Sequence, residues 1–292
     1  MGVMPSAGAI LCLASAAAFG AMGIFGKLAY EEGANVGTLL AARFVIAAAL
    51  FWLIVVCSKG ARALSALPRR DIAIALALGA VAYSAQAGGY FAALERLDAS
   101  VLALLVYPFP TIVVVAAIAL GRERASRRTT VALGLASTGL VLVLAGAAAG
   151  ALDPVGTALG LAAAVVYSAY ILSSEGVAAR IGPLALGTLV CTGAATTLTL
   201  GAAAAGDLDP GAVSAAGYGW LAGLAAVSTV GAVGLFFAGL RRVGPTTASI
   251  LSTLEPVVTV ALAFAVFGES LALAQMAGGA FVLLGCVRCL VR

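Results

Sequence analysis

The chain has 292 residues, 63% of them hydrophobic and 10% charged, with a mean hydropathy of +1.15 and a formal net charge of +4. A soluble domain carries about 25% charged residues, so a water-soluble fold of this composition could not cover its own surface. The basic residues are dispersed, with no basic stripe among aromatics, which excludes a nucleic-acid partner and leaves lipid as the expected surroundings.

Ten apolar runs follow one another: 7–26, 36–57, 72–94, 99–120, 129–148, 155–173, 184–205, 218–238, 246–267 and 271–291. A helix needs about 20 such residues to cross a bilayer core, and the joins are too short for a separate soluble domain. The first run is span-length and has no basic segment before it, so it reads as a retained membrane helix and not a signal peptide. The second run holds Arg43, the one base well inside a span. In the third, Tyr83, Gln86 and Tyr90 stand at i, i+3 and i+7 on one helical face. A polar amide between two phenols at lipid depth needs partners, so this face is expected to line a cavity. Tyr107 in the fourth run, and Tyr167 and Tyr170 in the sixth, add aromatic walls with hydroxyl tips. Small residues recur throughout, as in Gly156-x-x-x-Gly160, and let helices approach closely in lipid.

The ninth run carries Leu251-Ser252-Thr253-Leu254-Glu255-Pro256 at its centre. A charged side chain at mid-helix costs roughly 2.5–3.5 kcal/mol on insertion scales. Pro256 lacks an N–H and would leave the Ser252 carbonyl without its helical partner. A bent or broken helix at membrane depth is therefore expected beside an acid, and such backbone is tolerated only against protein or a water-filled cavity. The fourth run repeats the design around Pro108 and Pro110: residues 94–110 align without gaps on 240–256, an offset of 146 residues. Leu94, Arg96, Leu105, Pro110 and Glu123 fall on Leu240, Arg242, Leu251, Pro256 and Glu269. Interrupted apolar segments in corresponding positions of two halves point to a transporter binding site.

Charge placement orients the chain. Lys59, Arg62, Arg69 and Arg70, then Arg122, Arg124, Arg127 and Arg128, fall in the joins after runs 2 and 4; Arg180, Arg241, Arg242, Arg288 and Arg292 share that side. The other side holds Lys27 and Arg96 against an excess of Asp and Glu. By the positive-inside rule both termini are cytoplasmic. Five spans per half is an odd number, so the second copy must be inverted. Its counterparts of the two basic joins contain no Lys or Arg, as an outward-facing copy requires. The expected architecture is an all-α integral membrane protein of ten transmembrane helices, with one five-helix repeat in residues 1–150 and an inverted one in 151–292.

The chain has no histidine, which removes the usual general base and metal ligand. With no Asp inside a span and a single Glu there, no enzymatic constellation forms, and no cofactor or metal site is expected. The five cysteines sit in or beside apolar runs, and Cys286-x-x-Cys289 closes the last one without a redox context.

The segments Ala41-Ala42-Arg43-Phe44, Tyr107-Pro108-Phe109-Pro110 with Gly121-Arg122-Glu123, and Leu254-Glu255-Pro256-Val257 with Phe267-Gly268-Glu269 resemble the EamA-type members of the drug/metabolite transporter superfamily, and Gly278-Gly279 and Gly285 complete the pattern. The likeness covers essentially the whole chain and is specific for fold, not substrate. The usual Gly-Glu pair after the fourth helix is interrupted by Arg122. Size and helix count are similar to those of the YddG-type amino-acid exporters of bacteria. The resemblance implies a multi-pass inner-membrane exporter with a central cavity between the halves, reached alternately from each side. Amino acids, neutral or aromatic, or similar small metabolites are the expected substrates; drug export, or a pore or helper subunit, are the alternatives. Clustered Lys or Arg at midplane, which phosphorylated substrates would want, is missing. The first-helix glutamate of the small multidrug-resistance relatives has no counterpart in runs 1 and 6. A monomer is compatible with the sequence.

Within that frame Glu255 either binds a substrate ammonium or a proton, or serves structurally as a neutral acid on carbonyls freed at the proline; the structural role takes precedence. Arg43 either attracts a substrate carboxylate or snorkels to the outer interface. Ser252 and Thr253 offer small hydroxyls to the cavity or bond back to their own helix.

Overall fold

The computed structural model describes residues 6–58, 64–97, 102, 105–106, 108–122, 124, 126–145, 153–267 and 273–290. Local chemistry starts the helices. Helix α1 (Ala7–Gly20) opens at Ser6, whose Oγ accepts from the Ala9 N–H at 3.3 Å. Helix α2 is Met22–Glu31. Helix α3 (Val36–Cys57) is capped by Asn35, with the Thr38 N–H at 2.8 Å from its Oδ1. Helix α4 (Arg69–Ala77) passes through a π-helical segment, Leu78–Tyr83, into α5 (Ser84–Leu94). Helix α6 (Phe109–Ala119) has Pro110 in its first turn, where a missing N–H costs nothing. Helix α7 is Arg127–Ala145. Asp153 caps α8 (Pro154–Ile181) through the Gly156 N–H, and α9 is Pro183–Ala205. Ser214 caps α10 (Ala215–Ala225), and a second π segment, Ala226–Gly231, leads to α11 (Ala232–Ser252). Helices α12 (Glu255–Phe267) and α13 (Leu273–Leu290) follow.

Among the described residues there is no strand. Six helical stretches are long and apolar enough to cross a membrane: Ala7–Glu31, Val36–Cys57, Arg69–Leu94, Pro154–Ile181, Pro183–Ala205 and Ala215–Ser252. Phe109–Ala119, Leu254–Phe267 and Met276–Gly285 are shorter apolar helices. The protein is therefore an all-α membrane protein.

The helices pack chiefly as α1 on α11, α3 on α9, α5 on α8 and α7 on α13. Close approach needs glycine. A Cβ on Gly79 would stand 2.0 Å from the Val190 carbonyl oxygen, and one on Gly193 would stand 2.3 Å from that of Leu76, so α9 crosses the third membrane segment backbone against backbone. Gly8 sits against Arg242 and Val243, and Gly156 against Arg96 and Leu97.

The two ends of the bundle differ. Beside the C-terminus of α8, Arg180 binds Asp71 through Nε (2.9 Å) and Nη2 (2.8 Å). Arg122 donates to the Leu172 carbonyl at 2.8 Å and lies 3.7 Å from Glu175. At the opposite end of α9, Asp207 accepts from Asn35 Nδ2 and the Gly37 N–H, both at 3.1 Å. Close by, Ser214 binds Glu32 through both its hydroxyl and its N–H.

Three departures from the uninterrupted apolar runs matter. Run 1 breaks at Ala21, between α1 and α2. Runs 3 and 8 each contain a π segment. The joins after α8 and inside α11 are Gly-Pro turns with the same backbone, Gly182 at φ 83°, ψ 159° and Gly244 at φ 79°, ψ 168°. Glycine reaches that region without steric cost, its extended ψ suits a following proline, and proline then opens the next helix.

Candidate functional site

The site is built around helix interruptions. Helix α11 stops at Ser252, Thr253 and Leu254 form a turn, and α12 restarts at Glu255-Pro256. The break in run 1 lies against this turn. A Cβ on Gly20 would meet Val258 and the Glu255 carbonyl oxygen at 2.8–2.9 Å. The Thr259 hydroxyl is within hydrogen-bond reach of both the Gly20 oxygen (2.9 Å) and the Glu255 oxygen (3.1 Å), tying α12 to the end of α1.

A cavity opens beside these breaks. Phe19 and Met22 border it from α1 and α2, Tyr83, Gln86 and Tyr90 from the third segment, and Phe109 and Tyr167 from α6 and α8. Arg43, Glu255 and Thr259 complete the polar part. Counted as the space open to the centre of a water-sized sphere, the cavity is about 40 Å³. One water needs roughly 10–15 Å³ by that measure, so the space holds a few waters and is too small for an aromatic amino acid.

Aromatic rings make most of the wall. Tyr83 stacks on Tyr170 (centroids 5.1 Å apart, planes at 7°) and meets Phe44 edge-on at 5.3 Å. Phe109 and Tyr167 pack at 4.8 Å. Arg43 is 2% exposed, so it does not reach out to the interface. Its Nε–H donates to Thr229 Oγ1 at 2.8 Å, and its guanidinium lies over the rings of Phe44 (4.9 Å) and Phe91 (5.3 Å). Thr229 belongs to the second π segment, and its hydroxyl donates to the Leu224 carbonyl five residues back. Ser84 does the same to Gly79 at the end of the first π segment. An i to i−5 hydroxyl bond suits the wider π turn, and such segments occur often at functional sites.

Six of the sequence-derived candidates meet at this cavity: Arg43, Tyr83, Gln86, Tyr90, Tyr167 and Glu255. Tyr170 lies one layer behind, stacked on Tyr83. Ser252 and Thr253 are buried and donate to the Ala248 and Ile250 carbonyls of their own helix, so they are not part of the lining. Pro108 precedes α6, Pro110 is in its first turn and Pro256 is in that of α12. Tyr107 lies outside the described residues. No metal-ligand group of three or more His, Cys, Asp or Glu occurs among the described residues.

A model of the EamA-like transporter family matches residues 6–145 and again 154–290. The chain belongs to the EamA-like transporter family. A relative named as an uncharacterized transporter, YcbK, of Bacillus subtilis is 27% identical over 279 residues, 94% of this chain and 89% of that protein. An uncharacterized transporter of Archaeoglobus fulgidus is 29% identical over 200 residues, covering 67% of this chain and 68% of its own. A solved crystal structure matches with a TM-score of 0.80 at 19% identity, over 98% of this chain and 96% of that one, which shows the shared fold. As an EamA-family protein the chain is a multi-pass membrane protein of a transporter family. Its cavity also includes Phe19, Met22, Val106, Phe109 and Thr259, none of them a candidate site residue from the sequence. Phe19 and Met22 carry no polar signal, and Thr259 stands out only by its i+4 spacing from Glu255.

Proposed function

We propose that this protein is an inner-membrane secondary transporter that exports amino acids, neutral and aromatic ones favoured, or similar small metabolites by alternating access through the cavity at Glu255. The single observation that carries the reading is the convergence of two helix breaks and an aromatic, polar-tipped cavity on one site. The cavity is too small for an aromatic amino acid as it stands, so carrying one requires the surrounding helices to part.

The reading includes a bundle of ten helices in two inverted five-helix halves, residues 1–150 and 151–292, with both termini cytoplasmic. Its support is the way contacts recur. Gly8 packs on Arg242 as Gly156 packs on Arg96, and Arg96 and Arg242 correspond under the 146-residue offset. The α1–α11 and α5–α8 pairings exchange under the same correspondence, while α3–α9 and α7–α13 map onto themselves. The two π segments, and the starts of the family model's two matches, lie 148 residues apart, within two residues of that offset.

Purified protein in liposomes is expected to move labelled amino acids across a panel of neutral, aromatic, acidic and basic members. No flux for any member would end the proposal. Accessibility labelling of single cysteines tests the inversion separately: the join after α3 and the join between α9 and α10 should react from opposite faces.

A further inference from the structure

Arg43 is a buried cation with most of its hydrogen-bonding capacity unused. A guanidinium has five N–H donors. Nε–H goes to Thr229, and Nη1 and Nη2 make no hydrogen bond or ion pair with any described residue. The described ion pairs are Arg122–Glu175 and Arg180–Asp71, both at the end of the bundle. Burying a charge without a partner is costly, and the rings of Phe44 and Phe91 offset only part of that cost. Yet Arg43 lines the cavity and is held there from one edge, by a side chain whose own hydroxyl is fixed to Leu224. The Nε bond fixes the plane of the fork and leaves its outer edge unengaged, an arrangement suited to a carboxylate.

A second observation points the same way. The Tyr83 hydroxyl, buried on the same cavity, has no hydrogen-bond partner. The Gln86 amide, 8% exposed and also on the cavity, makes no hydrogen bond with a described residue. The Tyr83 O–H and the Gln86 amide N–H groups add donors beside the guanidinium, so this side of the cavity offers several donors that no described acceptor engages. Glu255 borders the cavity too. We infer that Arg43 is a specificity-determining residue that binds the carboxylate of the transported solute, with Tyr83 and Gln86 as further donors, so that the cavity takes carboxylates and amino-acid zwitterions and rejects the corresponding amines and amides.

This rests on the transport reading above, and the test separates the two. In the liposome assay, phenylalanine should compete with labelled phenylalanine at least about tenfold better than phenethylamine or phenylalaninamide, because a site built to hydrogen-bond a group rejects analogues that lack it. Arg43→Gln should bring the ratio close to one, and Arg43→Lys should keep part of it. Equal competition by the amine and the amide against the unaltered protein would overturn the inference whether or not the variants fold. Should no amino acid be carried, the transport reading fails alone. The carboxylate site is then judged by thermal shift of the detergent-solubilised full chain, with 3-phenylpropionate against 3-phenylpropionamide. A shift from the acid alone supports the site, and equal shifts or none reject it.

Discussion

Replacing Gly79 with alanine should force α9 away from the third membrane segment. The new Cβ would lie 2.0 Å from the Val190 carbonyl oxygen, 2.7 Å from its carbon and 2.8 Å from its Cα, all of them backbone atoms that no rotamer change can move. Ordinary contact starts near 3.4 Å, so the helices must part by about 1.4 Å. That separation also loosens the reciprocal contact of Gly193 with Leu76 and Ala80. Overpacking costs about 1–3 kcal/mol, and a backbone clash on both sides of one crossing belongs at the top of that range. At about 2 °C per kcal/mol for a chain of this size, the apparent Tm should fall by about 6 °C. The assay is thermal unfolding of the purified protein in detergent, followed by fluorescence of Trp52 and Trp220. Gly88→Ala is the control, because a Cβ there meets nothing within 4 Å, and exchanging glycine for alanine in a helix gains up to about 1 kcal/mol. Equal Tm values for the two variants would refute the close-crossing argument.

Thr229→Val removes the acceptor of the Arg43 Nε–H and the hydroxyl bond to Leu224, and should lower amino-acid flux at least about fivefold, a loss of about 1 kcal/mol or more, while Thr229→Ser retains flux; equal flux in both variants would dismiss the link. Glu255→Gln should change the pH dependence of flux if Glu255 handles a proton, and full flux with an unaltered pH profile would assign it a structural part. Gly244→Ala must hold an L-residue at φ 79°, ψ 168°, a region essentially reserved to glycine, and should cost roughly 1–3 kcal/mol, read as a fall in Tm. The Arg180–Asp71 pair is half-exposed on the arginine side, so a double-mutant cycle should give a coupling below about 1 kcal/mol that shrinks with added salt; a larger, salt-insensitive value would contradict that.

The sequence made part of the site legible because lipid makes polarity conspicuous. Tyr83, Gln86 and Tyr90 stood out as a polar face in an apolar run, and Glu255-Pro256 as an acid beside a backbone breaker; they border one cavity with Tyr167. What stayed hidden depended on neighbours. The break at Ala21 has no proline; it goes with a close approach of α12 to Gly20, which only the packed bundle reveals. The π segments arise from one extra residue per turn, which leaves no mark on an uninterrupted apolar run. Arg43 could have pointed either way along its helix until Thr229 and two phenyl rings fixed it. Ser252 and Thr253 were ambiguous for a related reason, since a hydroxyl at depth can always turn back to a carbonyl of its own helix.

The Gly-Pro turns at Gly182-Pro183 and Gly244-Pro245 leave no slack between the helices they join. One residue turns the chain and the next already belongs to the following helical stretch. Each pair therefore behaves as a bent lever with a stiff elbow. On the transport reading proposed above, a displacement of α8 that widened the cavity would pass directly to α9, and the limbs of α11 on either side of Gly244 would be coupled in the same manner.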